Sequence, residues 1–127
     1  MPSRIWYPDE SIVLQVHEEM LEQFGGHPGF ERGIDLFSVV LKEVKDARGI
    51  YGKAAVLLRR LVDVRIFCDG NHRTAYSVTD IFLRMNGKRI HEDSERKVIR
   101  FIKDVKCYTV DDIEAWLRDG QIPKRSH

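Results

Sequence analysis

The amino-acid sequence predicts an all-α protein, a bundle of about six helices in one domain spanning residues 1–127. Three observations predict this class. Apolar residues recur at spacings of three and four along six segments of the 127-residue chain. Glycines or capping side chains stand where most of these segments begin or end. No long segment alternates apolar and polar residues in the manner of a half-buried strand.

The first helix is predicted over residues 9–24. Asp9 can cap its start, and Gly25 with Gly26 can end it in a left-handed turn. The loop over residues 25–29 holds three glycines and a proline. The inward stripe of this helix consists of Ile12, Val13, Val16, Met20 and Phe24.

The next two helices are predicted over residues 33–45 and 53–64. The third is apolar around more than one face, because residues 54–58 are all apolar and Leu61 and Val62 follow. That pattern is typical of a central helix buried by its neighbours. The inward stripe of the second helix consists of Ile34, Phe37, Val40, Leu41 and Val44.

The fourth helix is predicted over residues 72–86, with Gly87 closing it. Residues 5–7 and 88–90 are short extended segments that are candidates for a β-hairpin or an extended flap. Residues 121–127 are expected to form a frayed tail. The inward stripe of the fourth helix consists of Ala75, Val78, Ile81, Phe82 and Met85.

The last two helices start near polar caps. The fifth begins at Asp93 or Ser94, where the charge run over residues 93–97 is typical of a solvated helix start. The sixth begins at Thr109 with Asp112 three residues on, close to a capping box, and ends at Gly120. Their inward residues are Val98, Ile99, Ile102, Val105, Ile113, Trp116 and Leu117.

Composition narrows the classes of protein. Lys and Arg number 21 and Asp and Glu number 20, so the formal net charge of +1 gives no support for a nucleic-acid or membrane-surface binder driven by bulk charge. No segment approaches the roughly 20 apolar residues of a membrane span. Residues 1–6 lack the apolar core of a signal peptide. Two cysteines make neither a disulfide framework nor a metal cluster, so a cytoplasmic setting is expected.

The segment over residues 67–74 is the strongest candidate for chemistry. Gly70 allows close approach of a ligand to the backbone, and the segment leads into a helix N-terminus, which favours an anion. Arg73 lies in the first helical turn, and Asp69 just before the turn can hold Mg²⁺. These features indicate a site for nucleotide phosphate. The alternative is an ordinary turn in which Asp69 or Asn71 only caps the helix.

These residues also carry a family resemblance. The chain from the apolar helix at residues 54–58 through residues 67–76 to residues 82–87 resembles the Fic/Doc (Fido) superfamily, and its death-on-curing branch in particular. The resemblance covers roughly residues 10–90. The family motif reads His, one residue, Phe, one residue, Asp or Glu, Gly, Asn, Gly or Lys, Arg. Members transfer AMP or phosphate to a hydroxyl of a target protein.

The resemblance implies an all-helical Fido core, ATP or a related nucleotide, and Mg²⁺. It implies that Phe67 is a buried anchor, that Asp69 binds the metal and that Arg73 grips phosphate. It places Gly70 and Asn71 in the anion-binding turn. The cofactor-binding residues are therefore expected to be Gly70, Asn71, His72 and Arg73.

Arg65 stands where the family has its catalytic histidine. Arginine stays protonated, with a pKa above ~12, so Arg65 cannot act as a general base. It can hold a phosphate or stabilise charge in the transition state. Loss of a general base typically costs about 10²–10⁴ in rate.

Three further departures concern the chemistry and the docking of a target. His72 replaces the usual Gly or Lys of the motif and is a second catalytic candidate, because histidine titrates near neutral pH. Tyr76 stands where nucleotidyl-transferring members have a second arginine. Only residues 46–52 are available for the flap that docks the target. His17 is expected to be a packed or surface histidine, and Cys68 a small buried residue.

Three functions follow as alternatives. The first is a nucleotide-phosphate binder that transfers slowly or not at all, because position 65 is arginine. The second is an active phosphotransferase or nucleotidyltransferase toxin with another base, for example Asp63 or His72. The third is a non-enzymatic protein-interaction module. No inhibitory-helix string of the family occurs, so inhibition is expected from a separate antitoxin-like partner. The expected partners are that protein and a target bearing a hydroxyl, with no membrane and no specific nucleic acid; oligomerisation stays open.

Overall fold

The computed structural model describes residues 4–121, and 68% of those residues are helical. Within those residues lie six α-helices and no strand, so the predicted all-α bundle of about six helices is confirmed. The predicted frayed tail lies outside the described residues except for residue 121. No helix between residues 4 and 121 combines the length and the hydropathy needed to cross a bilayer.

The helices begin and end close to the predicted bounds. They are α1 (Glu10–Phe24), α2 (Phe37–Asp46), α3 (Ile50–Val64), α4 (Asn71–Met85), α5 (Glu95–Lys103) and α6 (Val110–Asp119). Two short 3₁₀ turns, Ile34–Leu36 and Val105–Cys107, precede α2 and α6. The first turn of the predicted second helix is therefore 3₁₀, and α3 begins three residues earlier than predicted.

The caps formed by side chains follow the sequence. Asp9 accepts a hydrogen bond from the Ile12 amide at 3.0 Å and so caps α1. Ser94 caps α5 through the Lys97 amide, and Thr109 with Asp112 forms a complete capping box on α6. Each cap satisfies amides that the first helical turn leaves without an intrahelical acceptor.

Helix α3 is central, as predicted. It packs against α2, α4 and α6, while α1 and α5 lie on α4. The buried apolar side chains of all six helices form one cluster, which supplies the main favourable free energy of folding. Representatives from α1 to α6 in order are Val13, Phe37, Leu58, Phe82, Ile102 and Leu117.

Two residues predicted to face inward do not. Phe24 and Met85 are 48% and 56% exposed. Each is the last residue of its helix. At that end the apolar stripe extends beyond the neighbouring helices that cover its other residues. The prediction was wrong at both positions, and for Phe24 the error lies at the candidate site.

No β-hairpin or extended flap forms in the part of the chain that the structure describes. Residues 5–7 are held instead by Asn86, whose side chain accepts a hydrogen bond from the Trp6 amide and donates one to the Trp6 carbonyl. These bonds take the place of strand pairing. Between α2 and α3 only residues 47–49 remain outside the helices, so residues 46–52 supply no flap.

Candidate functional site

The turn between α3 and α4 is closed by the side chain of Asn71. Its Oδ1 accepts a hydrogen bond from the Phe67 amide at 3.2 Å, and its Nδ2 donates one to the Phe67 carbonyl at 2.8 Å. Asn71 and Phe67 are both buried, so neither group can exchange these partners for water. Phe67 is thus the buried anchor that the resemblance implies, and Asn71 fixes the shape of the turn.

Helix α4 begins at a terminus that no side chain caps. The backbone amides of Asn71, His72 and Arg73 donate no hydrogen bond to any acceptor within residues 4–121. The Gly70 amide is already engaged, because it donates to Oδ1 of Asp69 at 3.1 Å. The interpretation of the turn as a simple cap by Asp69 or Asn71 was therefore wrong. Three free amides at the positive end of a helix dipole can bind an anion.

Asp69 ties this turn to the loop after α1. Its Oδ2 accepts a hydrogen bond from the His27 amide at 3.2 Å. A Cβ at Gly26 would lie 3.0 Å from the same oxygen, so the loop approaches as closely as glycine allows. From the other side His17 donates from Nε2 to the Asp69 carbonyl at 2.8 Å, and its ring stacks on Phe67 with centroids 3.6 Å apart. His17 is a packed histidine that supports the turn.

The turn and the loop border an open pocket of about 410 Å³, which we call the phosphate pocket after the ligand that the sequence predicts for it. Arg73 reaches into it and lays its guanidinium over the Phe24 ring, 3.6 Å from the centroid. Arg73 forms no ion pair with any residue from 4 to 121. The sequence-predicted residues that line this pocket are Asp69, Gly70, Asn71, His72 and Arg73.

Arg65 is not among the residues that line the phosphate pocket. It ends α3 in the left-handed conformation, with φ +53°, and its guanidinium pairs with Glu31 at 3.1 Å. In this arrangement Arg65 is therefore not positioned to hold phosphate, the role predicted for it. Asp63, the other suggested base, pairs with Arg59 at 3.1 Å and does not line the pocket either.

His72 lines the phosphate pocket and is partly buried. Its pKa is lowered, first by burial and then by the positive charges of Arg65, Lys106 and Lys103. Both causes disfavour the imidazolium. The shift favours the neutral imidazole, which is the form that can accept a proton.

The residues present offer a magnesium ion little on their own. Among residues 4–121 no three His, Cys, Asp or Glu side chains cluster as a metal site. Asp69 is a single exposed carboxylate, and each of its oxygens already accepts one amide. A carboxylate oxygen retains a further lone pair, and Mg²⁺ is commonly held by one or two carboxylates together with substrate phosphates. Asp69 thus fits Mg²⁺ that arrives with a nucleotide.

Sequence reasoning missed two residues at this site and misjudged a third. Phe24 was assigned to the core, and nothing in its spacing distinguishes it from Met20. His17 is packed, one of the two placements predicted for it, but its support of the turn was not predicted, because its hydrogen bond to Asp69 spans 52 positions and has no local signal. Cys68 was expected to be buried and is exposed.

Comparison of the chain with protein-family models and with curated proteins gives no match. The resemblance to the Fido superfamily stays a prediction.

Proposed function

We propose that this protein binds the phosphates of ATP or a related nucleotide at the α4 terminus, and that its ability to transfer AMP or phosphate is lost or strongly reduced. The observation that carries the proposal is the pairing of three acceptor-free amides with an unpaired guanidinium, that of Arg73, at one pocket. An anion is the ligand that satisfies both. The Fic/Doc resemblance supports the choice of a nucleotide.

Loss of transfer follows from position 65. In the family motif this position supplies the base, and here a guanidinium paired with Glu31 occupies it. Transfer requires the target hydroxyl oxygen to bond to phosphorus while the bond to the leaving ADP or pyrophosphate breaks, and the hydroxyl proton must pass to a base. Arginine cannot take that proton. When bound, Mg²⁺ would neutralise phosphate charge beside Asp69.

Thermal unfolding with and without ATP tests the binding. A ligand at 100 times its Kd stabilises the folded state by about 2.7 kcal/mol, which raises the Tm of a domain of this size by roughly 10 °C. We expect such a rise at millimolar ATP with Mg²⁺, and we expect Arg73→Ala to abolish it. Arg84→Ala is the matched control, since Arg84 lies on the same helix outside the pocket and pairs with Asp80. No rise with the unaltered protein, or an equal rise in Arg73→Ala, would refute this site.

Arg65→His tests the loss of transfer. Restoring a base is expected to raise label transfer from ATP to protein by about 10²–10⁴-fold if the pocket is otherwise competent. Parallel incubations with the label on the α or the γ phosphorus distinguish AMP transfer from phosphate transfer. Silence of this variant in the presence of a cell extract, combined with intact ATP binding, would refute the proposal that transfer is lost because of the residue at position 65.

A second candidate is favoured by His72. Its lowered pKa keeps a neutral imidazole on the wall of the pocket, so an active transferase with His72 as the base is the competing function. This candidate predicts label transfer by the unaltered protein that disappears in His72→Gln. The first proposal predicts no transfer by the unaltered protein or by His72→Gln. An antitoxin-like partner belongs to this second candidate, since only an active toxin needs inhibition.

A further inference from the structure

A second cavity lies beside the phosphate pocket and shares Phe24 and Arg73 with it. It runs between the start of α4 and helix α5, is open to solvent and encloses about 850 Å³. We call it the basic groove. Its cationic lining residues are Arg73, Arg96, Lys97, Arg100 and Lys103. Of the residues that the structure describes, Glu95 alone brings a carboxylate to this lining.

Most of these cations have no ion-pair partner in the described part of the chain, although Arg100 and Lys103 lie in the last turn of α5, where a cation suits the helix dipole. Neither Arg96, Arg100 nor Lys103 has an ion-pair partner between residues 4 and 121, and Lys97 has only Glu92, at 3.9 Å. Like charges spaced three or four residues apart on a helix repel one another, so this face costs α5 stability. An external anion is what would offset that repulsion.

The spacing of the charges fits a chain of phosphates. Positions 96, 100 and 103 lie along one face of α5, a nine-residue helix about 14 Å long. The positive field also reaches the phosphate pocket, because Lys103 is among the charges that lower the pKa of His72. A ligand bearing one negative charge would leave most of this row without a partner.

Phe24 favours nucleic acid over an acidic protein segment. It is 48% exposed at the wall where the two cavities meet, and the Arg73 guanidinium lies against its ring. Single-stranded nucleic acids are commonly bound by a cationic groove that follows the phosphates together with an aromatic ring on which a base stacks. Carboxylate side chains would pair with the cations but would gain nothing from the ring.

We propose that the basic groove binds single-stranded nucleic acid without sequence specificity, its phosphates on the cations of α5 and a base on Phe24. The net charge of +1 conceals this site, because the chain concentrates unpaired cations in one place. The proposal does not depend on ATP binding in the neighbouring pocket.

Fluorescence anisotropy with a fluorescein-labelled twelve-residue oligothymidylate tests it. Contact with about four phosphates predicts a salt slope near −2.8, which is about 50-fold weaker binding at 200 mM than at 50 mM NaCl. Phe24→Leu keeps an apolar side chain and removes the ring, and we expect binding to weaken by about 5–100-fold. Undetectable binding at 50 mM NaCl, or no loss in Phe24→Leu, would overturn the proposal.

The charge variants need a control of equal net charge. R96A/R100A/K103A is expected to abolish most of the salt slope and to weaken binding at least 20-fold. K42A/R48A/K88A removes three exposed cations that lie outside the groove and have no ion-pair partner within residues 4–121. It should bind as the unaltered protein does. Equal loss in the two variants would mean a bulk-charge effect and would refute the groove.

Two further measurements distinguish nucleic acid from other candidate ligands of the basic groove. A twelve-residue poly-glutamate that binds as tightly as the oligothymidylate would overturn the choice of nucleic acid in favour of an acidic protein segment. A dimer in gel filtration that dissociates with salt and in R96A/R100A/K103A would assign the groove to a second copy of the chain. The ATP-dependent rise in Tm should persist in that triple variant, so failure of either proposal is distinguishable from failure of the other.

Discussion

Cationic side chains have different surroundings on two sides of this bundle. On the side of α2 and α3, Lys53 is buried and donates to three carbonyl oxygens, those of Val44, Lys45 and Ala47. On the same helix, Arg59 and Arg60 pair with Asp63 and Glu43, and Arg59 also donates to the Tyr108 carbonyl. On the side of α4 and α5, only Lys97 among the cations of the basic groove has an ion-pair partner within residues 4–121, Glu92 at 3.9 Å.

The difference separates charges that hold the fold from charges that are available to a ligand. Lys53 lies at the negative end of the α2 dipole and donates to carbonyls near the end of that helix, of which Val44 also accepts a hydrogen bond from the Ala47 amide. Removing it should cost stability. Removing Arg100 should cost no more than the ~0.3–1 kcal/mol of a cation in the last helical turn, and its main effect should be weaker binding of an anion.

The largest effect is expected for Lys53→Met, which keeps the apolar stem and removes the ammonium. We expect the free energy of unfolding to fall by about 2–3 kcal/mol, because the partly buried carbonyls of Lys45 and Ala47 lose a charged donor. Urea denaturation measures this loss. Lys42→Met is the matched control, since Lys42 is exposed on α2, and it should change stability by less than about 0.5 kcal/mol. A loss below 1 kcal/mol in Lys53→Met would remove the distinction between the two sides.

Two glycines extend the comparison between the α4 terminus and helix α3 to the backbone. Gly70 has φ +77°, and a Cβ there would meet no atom closer than 3.6 Å, so Gly70→Ala adds conformational strain without a clash. The expected cost is about 1–2 kcal/mol. Gly52→Ala in α3 should instead be stabilising by up to ~1 kcal/mol once the Glu114 side chain moves aside. Thermal unfolding of both variants gives the two signs, and equal signs would contradict this account.

A smaller gain is expected for Arg65→Gly. Arg65 is the one non-glycine residue with positive φ between residues 4 and 121, and its ion pair with Glu31 is about half exposed. Glycine removes the left-handed strain, while the loss of an exposed pair costs little. The net expectation is about 0.5–1 kcal/mol of added stability in urea denaturation. Arg65→Ala, which loses the pair and keeps the strain, should be less stable than Arg65→Gly.

The weakest effect is a pH dependence. The pKa of His72 in the folded state is lowered from 6.5, so the unfolded state binds more protons as the solution is acidified. The contribution of His72 to stability is therefore complete above pH 6.5 and is lost as pH falls through the folded-state pKa. His72→Gln should flatten this part of the profile in urea titrations at pH 7.5, 6.5 and 5.5. An unchanged slope would mean that His72 is not the titrating group.

Much of the fold was predictable from local signals. Capping at Asp9 and at Thr109 needs only residues three positions apart, and both predictions were confirmed. The central place of α3 follows from an apolar surface that exceeds one face. Helix ends were less certain, since the Ile50 start includes Gly52, which favours helix poorly.

The part of the site formed by consecutive residues was predictable, and the contacts between distant segments were not. Asp69 through Arg73 line one pocket because they are consecutive around a helix start. The contact between Asp69 and His27 joins residues 42 positions apart, and the stack of Arg73 on Phe24 depends on how α1 lies against α4. The groove was hidden for another reason. Residues 93–97 resemble a solvated helix start. Only the packing of the helices shows which Asp and Glu residues lie away from these cations.

Phe24 and Arg73 form a common wall between the two cavities. One guanidinium cannot pair fully with separate anions on both sides, so two small ligands would weaken each other's binding, while a single longer ligand would span both spaces. Small ligands would then saturate at two equivalents per chain and a spanning ligand at one. A binding stoichiometry, more than either affinity, reports whether this wall divides two compartments or joins them into one.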